Sequence, residues 1–215
     1  MPKGPQMRFY VRTLCLALAI VALSAGSATG QINFVGDGTW EAFEMNADGS
    51  QGVDLGPAVC ETWASYGMIV TGVCWLWKPG VDGTTLSDLQ GVYLSKQFVL
   101  GAPISGHMSV GVDDFAEVRV NGHVVGSTGS VTDLGAAQAA QADLKSFDLF
   151  PYLVEGPNTI TVKAQNGPAW FTGGQCDPCT YNVNQAGVTF SGSLSYEGAT
   201  PAKRTTWGSL KTHYR

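Results

Sequence analysis

Short runs of alternating apolar and polar residues fill much of the chain after residue 90, and they constrain its fold more than any other feature. The run GVYLSKQFVL places Val92, Leu94, Phe98 and Leu100 on one side, with Lys96 as the exception. Similar alternation occurs in HMSVGV, AEVRV, NTITVKAQ and GVTFSGSLSY. Successive side chains of a strand point to opposite faces, so each run buries one face and exposes the other. Several such strands separated by turns predict an all-β sandwich or barrel of antiparallel strands.

Two local signals add a hairpin and one candidate helix to these strands. The dipeptide Asn121-Gly122 lies between two alternating runs, and a type I′ turn needs positive φ at both central residues, which Asn and Gly tolerate best. We therefore expect Val118–Val120 to pair with Val124–Val125. The segment DLGAAQAAQADL, Asp133 to Leu144, has few large apolar residues and predicts a short peripheral helix or a loop.

The first 30 residues have the pattern of a secretory signal peptide. Basic residues precede an apolar stretch from Leu14 to Leu23, and small residues follow, so that cleavage is expected after Ala28 or Gly30. The stretch is shorter than the roughly 20 residues that a membrane span requires. A buried N-terminal helix is the alternative. We expect a protein that is secreted or held at the cell envelope, with one domain over 31–202, a tail over 203–215 and no membrane span after cleavage.

Charge differs between the domain and the tail. Residues 31–202 hold all 17 acidic residues and five basic ones, which leaves a net charge of −12. Residues 203–215 hold four basic residues and no acid. An acidic domain argues against nucleic acid as a partner. The basic tail is expected to be solvated, and contact with its own domain or with an anionic surface is the alternative.

Four cysteines follow residue 30, and exported chains use such cysteines as disulfides. Of the three possible pairings we favour Cys60–Cys74 with Cys176–Cys179, because each pair is local. A four-cysteine zinc site is the alternative, since C-x-x-C is also a ligand spacing. However, Cys60 and Cys74 do not have that spacing, and an oxidising compartment disfavours free thiolates.

Four segments lie in the following order between about residue 90 and residue 197: KQFVL, GHMSVGVDDFAEVRVNGHVVGS, SFDLFPYLVEGPNTITVKAQN and AGVTFSGSLSYE. Together they resemble the galactose-binding-like jelly roll, a domain of the carbohydrate-binding-module type found in secreted proteins. The resemblance implies a sandwich of about eight or nine antiparallel strands. It also implies a non-catalytic module whose partner is a glycan or a cell-surface polysaccharide. A structural or adhesive surface protein of the same fold, with protein partners, is the alternative.

Four aromatic residues are candidates for contact with a glycan. Trp170 and Phe171 lie in the loop NGPAWFTGGQCDPCTYN, where a small disulfide ring would stiffen the loop and lower the entropy cost of binding. Trp75 and Trp77 are two residues apart in CWLWKP, so they share one face of a strand. That face is either an exposed platform for a sugar ring or part of the core.

Asp113 and Asp114 come directly before the hairpin and are further candidates for ligand contact. As neighbours in a strand they are expected to point to opposite faces. One of them would then bond to nearby backbone N–H groups, and the other would contact a ligand or a cation. Side chains on opposite faces do not form a general acid/base pair across one substrate.

Metal and catalytic motifs are weak or missing. The segment NADGSQGVD places Asn46, Asp48, Ser50 and Asp54 at calcium-loop offsets, but the glycine and the bidentate glutamate of such a loop do not follow. We interpret it as a polar turn, while Asp37 or Asp48 remains a candidate ligand for the structural calcium that the resemblance implies. We expect no other cofactor. No nucleophile motif or phosphate loop occurs, so we do not expect an enzyme.

Overall fold

The computed structural model describes residues 28–61 and 73–198 of the chain. Over these residues two antiparallel sheets of six strands each form a sandwich, which confirms the predicted all-β class. Most of the predicted signal peptide and the whole predicted tail, 203–215, lie outside the described residues. The first strand begins at Thr29, so cleavage after Ala28 keeps it whole and cleavage after Gly30 removes two of its residues.

The strands of the described residues follow in chain order: β1 Thr29–Val35, β2 Glu41–Met45, β3 Gln51–Pro57, β4 Val59–Cys60, β5 Leu76–Trp77, β6 Gly91–Leu100, β7 Ala102–Asp113, β8 Phe115–Val120, β9 His123–Gly129, β10 Lys145–Asp148, β11 Gly156–Gln165 and β12 Gly187–Glu197. One sheet has the order β10-β7-β12-β5-β4, and β1 also pairs with β12. The other has the order β3-β2-β6-β11-β8-β9. These are more strands than the eight or nine expected, because β4, β5 and β10 have only two to four residues and show no alternation.

The alternating runs of the sequence form the long strands, and their apolar faces form the core. Val92, Leu94 and Leu100 of β6 are fully buried, as their spacing predicts. Lys96 lies on the same strand face, and its ammonium group lies 5.9 Å from the ring centres of both Trp40 and Phe98. The aliphatic part of this lysine can therefore cover aromatic core residues while its charge stays at the edge of the sandwich.

The predicted hairpin is confirmed at Asn121-Gly122, which connects β8 to β9. Asn121 has φ 52° and Gly122 has φ 82°, so both central residues are in the left-handed region. The Asn121 side chain also links the turn to its surroundings. Its Nδ2 donates to the Tyr152 carbonyl at 2.9 Å and to Asn158 Oδ1 at 3.0 Å, and its Oδ1 accepts from the Thr159 N–H at 2.9 Å.

Replacement of Asn121 separates these two roles. Asn121→Ala loses the three side-chain hydrogen bonds. It also places alanine at positive φ, where alanine has no polar side-chain group that could offset the steric cost of this backbone conformation. We expect it to lower the free energy of unfolding by about 1–3 kcal/mol. Asn121→Gly loses the same bonds but tolerates the turn, so it should be less destabilised than Asn121→Ala in urea denaturation. Equal stability of both variants and the wild-type protein would contradict the structural role of this side chain.

The candidate helix forms over Leu134–Ala142, here called α1. Asp133 caps it, because its Oδ1 accepts from the N–H groups of Gly135 and Ala136 at 2.9 and 3.2 Å. Ala137 and Ala140 are its buried residues, and the helix packs on β7 and β9. The small alanine side chains let the helix lie close to these two strands, which belong to different sheets. In the described part of the chain, no helix has the length and apolarity needed to cross a bilayer.

Both predicted disulfides are present. Cys60 at the end of β4 is bonded to Cys74, with their Cα atoms 5.5 Å apart. Cys176 is bonded to Cys179, with a Cα separation of 5.0 Å. The alternative zinc site needs these four sulfurs as thiolates, so the observed bonds exclude it.

Glu61, the residue after β4, has a half-buried carboxyl group, and its Oε1 has no hydrogen-bond partner among the described residues. Desolvation raises the pKa of this carboxyl from 4.5 to about 8. At a pH between these two pKa values, the folded protein keeps a proton on Glu61 that the unfolded chain releases. The contribution of Glu61 to the free energy of unfolding therefore falls as the pH rises.

Glu61→Gln removes this titration. After allowance for solvent screening at a half-exposed group, we expect Glu61→Gln to gain about 1 kcal/mol over the wild type at pH 8 and little at pH 5. Urea denaturation of both proteins at the two pH values measures this difference. A gain that is equal at both pH values would show that the Glu61 carboxyl is not desolvated.

Candidate functional site

A cavity of about 160 Å³ lies at the end of the sandwich where β7 passes into β8, next to the loop that follows β11. Its polar lining consists of two acids and four amides, namely Asp113, Asp114, Gln138, Gln141, Asn184 and Gln185. Phe171 and Thr172 form another part of the wall. We call these eight residues together with the neighbouring Trp170 the loop-end site.

Asp113 and Asp114 both line this cavity. The prediction that they point to opposite faces is therefore wrong. Asp113 ends β7, whereas Asp114 is the single residue between β7 in one sheet and β8 in the other. The alternation of side chains holds within one strand, and Asp114 belongs to neither strand. Their carboxyl groups therefore come close enough to share a hydrogen bond.

Both carboxyls are buried, with 5% and 7% of each residue exposed. Burial raises the pKa of Asp114, and the hydrogen bonds from Asp113 and from the Gly167 N–H lower it in part. The Gly167 N–H donates to Asp114 Oδ2 at 2.6 Å. Both carboxyls are thus held away from solvent, where a negative charge costs more free energy than it does at the surface.

Gly167 allows the close approach between the loop and Asp114. A Cβ atom on Gly167 would lie 2.6 Å from Asp114 Oδ2 and 2.5 Å from the Phe171 ring. Any larger residue would displace one of these two side chains, both of which line the cavity.

Buried amides tie the loop to the segment before β6. Asn166 Nδ2 donates to the carbonyls of Ser87 and Asn184 at 3.0 and 3.2 Å. Asn184 Nδ2 donates to Asp88 Oδ1 at 3.2 Å, and the Cys179 N–H donates to Asp88 Oδ2 at 2.9 Å. These bonds and the Cys176–Cys179 disulfide hold both ends of the loop, so a ligand would meet a surface that is already ordered.

Trp170 and Phe171 lie on a short 3₁₀ helix, Ala169–Thr172, within this loop. Their ring centres are 4.2 Å apart at an angle of 87°, so one edge meets the other face. Phe171 turns towards the cavity, whereas 56% of Trp170 is exposed to solvent. The site thus combines an exposed indole with a polar cavity beside it.

Trp75 and Trp77 do not form an exposed platform. They are 4% and 0% exposed, and Leu76 between them is also buried. β5 lies inside its sheet, between β12 and β4, and the Trp77 indole N–H donates to the Tyr181 hydroxyl at 2.9 Å. The interpretation of these tryptophans as core residues is therefore the correct one, and they take no part in the loop-end site.

Asp37 and Asp48, the candidate calcium ligands, each stabilise a separate turn. Asp37 Oδ1 accepts from the Thr39 N–H at 2.9 Å, and Asp48 Oδ1 accepts from the Ser50 N–H at 2.9 Å. Across residues 28–61 and 73–198, no three His, Cys, Asp or Glu side chains come together in a way that could hold a metal ion. The structural calcium stays a prediction.

Sequence reasoning missed the contribution of α1 to the site. Gln138 and Gln141 line the cavity from this helix. They are three residues apart and so lie on neighbouring positions of one helix side, while Ala137 and Ala140 face the sheets. The spacing of alanines and glutamines in the sequence indicates one small apolar side and one polar side of the helix. It does not indicate which loop the glutamines face.

No protein-family model matches the chain, and no curated protein does. A family 35 carbohydrate binding module from Clostridium thermocellum is among the similar solved structures, with 12% identity, a TM-score of 0.40, and coverage of 78% of this chain and 99% of that chain. An FMN-binding beta-glucuronidase from Facaelibacterium prausnitzii L2-6 has 14% identity and a TM-score of 0.39 over 77% of this chain. An alpha-L-rhamnosidase from Streptomyces avermitilis has 16% identity and a TM-score of 0.44 over 76% of this chain.

The chain spans 23% of that beta-glucuronidase and 16% of that rhamnosidase. The fold rests on the two facing antiparallel sheets themselves, which form an all-β sandwich.

Proposed function

We propose that this protein is an exported, non-catalytic carbohydrate-binding module whose glycan lies across Trp170 and into the cavity of the loop-end site. The observation that carries the proposal is the exposed indole of Trp170 beside a cavity lined by amides and carboxyls. The loop that presents Trp170 is held by a disulfide and by buried hydrogen bonds.

The chemistry of a sugar ring fits this arrangement. One face of the ring carries C–H groups and can stack on an indole, while its hydroxyls need both donors and acceptors. The amides Gln138, Gln141, Asn184 and Gln185 offer both kinds of group, and Asp113 and Asp114 add acceptors. Exposed Trp170 therefore supplies the stacking surface, and the polar groups of the cavity orient the sugar ring through its hydroxyls.

The arrangement of the two acids supports a binding role over hydrolysis. Glycosidases place their two carboxyl groups on either side of the scissile bond, about 5–5.5 Å apart in retaining enzymes and farther apart in inverting ones. The carboxyls of Asp113 and Asp114 are hydrogen-bonded to each other, so a glycosidic bond does not fit between them.

Affinity electrophoresis of the full chain in gels that contain single soluble polysaccharides tests the proposal. We expect at least one glycan to retard the wild-type protein. Trp170→Ala should lose about 2 kcal/mol of binding free energy, roughly a 30-fold weaker affinity, because the indole supplies the stacking surface.

Phe150→Ala is the matched control for this experiment. Phe150 is also an exposed aromatic residue, at 44%, but it lies on the 3₁₀ helix before β11 and not in the loop-end site. It should bind like the wild type. Equal retardation of the wild type and Trp170→Ala by the bound glycan would reject the loop-end site as the binding surface.

A further inference from the structure

The loop-end site presents acidic groups to its ligand and no described basic group. Residues 31–202 contain five Lys and Arg residues, and each has a polar partner outside the cavity. The partners are Gln90 for Lys78, Thr39 for Lys96, Glu117 for Arg119, Ser127 for Lys145 and Gly49 for Lys163. A sugar that carries a carboxylate or a sulfate would thus meet two acids without a cation to offset its charge.

The acid pair itself favours a cationic group. Asp113 and Asp114 line the cavity as two neighbouring carboxyl groups in a buried position. Buried charges are stabilised by a paired opposite charge. An ammonium group provides three N–H donors, enough to bond to both carboxyl groups at once. The positive charge of the ammonium favours the ionised form of both carboxyls, so any proton that either of them holds leaves to solvent on binding.

We propose that the glycan bound at the loop-end site carries free amino groups, as glucosamine polymers do, and that one ammonium group lies on the carboxyls of Asp113 and Asp114. This inference rests on the proposed function and adds the chemical class of the ligand. The cavity provides separate groups for the rest of the sugar, because Gln138, Gln141 and Gln185 line it beside the acids. N-acetylation of the amine removes the charge that the acid pair recognises.

Isothermal titration calorimetry of the full chain with three matched oligosaccharides tests the inference. The ligands are a glucosamine hexamer, its fully N-acetylated form and a glucose hexamer with the same β-1,4 linkage, at a mildly acidic pH that keeps the amines charged. We expect the glucosamine hexamer to bind at least about tenfold more tightly than both neutral hexamers, since charge-assisted hydrogen bonds are roughly twice as strong as neutral ones.

Two single-charge variants locate the preference. Asp113→Asn keeps the size and polarity of the side chain but removes its charge, so the tenfold preference should disappear. Glu155→Gln removes one charge directly before the start of β11. The acid pair lies at the other end of this strand, about 30 Å away, because Gln165, the last residue of β11, lies beside Asp114. Glu155→Gln should keep the preference.

The outcomes separate this inference from the proposed function. Binding of the neutral hexamers with equal or higher affinity than the glucosamine hexamer would overturn the inference and leave carbohydrate binding intact. A preference for the glucosamine hexamer that Asp113→Asn retains would also overturn it, because the charge would then be recognised elsewhere. No binding of any hexamer or any polysaccharide of the electrophoresis panel by folded protein would overturn both.

Discussion

Trp77→Ala is expected to lower the free energy of unfolding by about 3–5 kcal/mol, the range for large aromatic residues removed from a core. Trp77 is fully buried, and its indole meets the Tyr181 ring edge-on, with ring centres 6.3 Å apart. Truncation leaves a cavity and removes the donor that bonds to the Tyr181 hydroxyl at 2.9 Å. Guanidinium denaturation, followed by far-UV circular dichroism, measures the loss.

Two further variants show which part of Trp77 matters. Trp77→Phe keeps most of the packing and loses the hydrogen bond to Tyr181, so we expect a smaller loss of about 1–2 kcal/mol. Trp170→Ala removes an exposed indole and should stay within about 0.5 kcal/mol of the wild type. If Trp77→Ala were as stable as Trp170→Ala, Trp77 would not be a core residue.

Removal of the Cys60–Cys74 disulfide, as Cys60→Ala with Cys74→Ala, should cost about 3 kcal/mol. The bond closes a segment with a sequence separation of 14 residues, and the entropy of the unfolded chain that it removes grows with the length of that segment. Chemical denaturation without reductant measures the difference between the double variant and the wild type.

The second disulfide provides the comparison. Cys176 and Cys179 are three residues apart, so their removal should cost about half as much in unfolding free energy. It should instead weaken glycan binding, because this disulfide stiffens the loop that presents Trp170. A larger loss of stability from the shorter disulfide would contradict the chain-entropy explanation.

The strands with clear alternation could be predicted from the sequence because their faces differ in polarity. β6 has the bounds of its alternating run, and the hairpin at Asn121-Gly122 follows from backbone preferences of two residues. These are local properties, and each needs only a few neighbouring residues to be expressed.

The candidate site could be predicted only in part, because it depends on where distant segments meet. Trp170 and Phe171 were predicted from the composition of their loop. The burial of Trp75 and Trp77 depends on β5 lying between two other strands, which two residues of strand do not reveal. The contact between the carboxyls of Asp113 and Asp114 depends on the passage of the chain from one sheet to the other.

Intrinsic tryptophan fluorescence reports directly on the proposed contact between Trp170 and a glycan. The wild type and Trp170→Phe are titrated with the same glycan, and the difference between the two signals isolates Trp170. We expect a saturable change in the wild type that Trp170→Phe lacks, since the described tryptophans Trp40, Trp75 and Trp77 are buried. An identical change in both proteins would contradict the contact at Trp170 and show that the glycan binds elsewhere. No change with any glycan in folded protein would contradict carbohydrate binding and favour a structural or adhesive role.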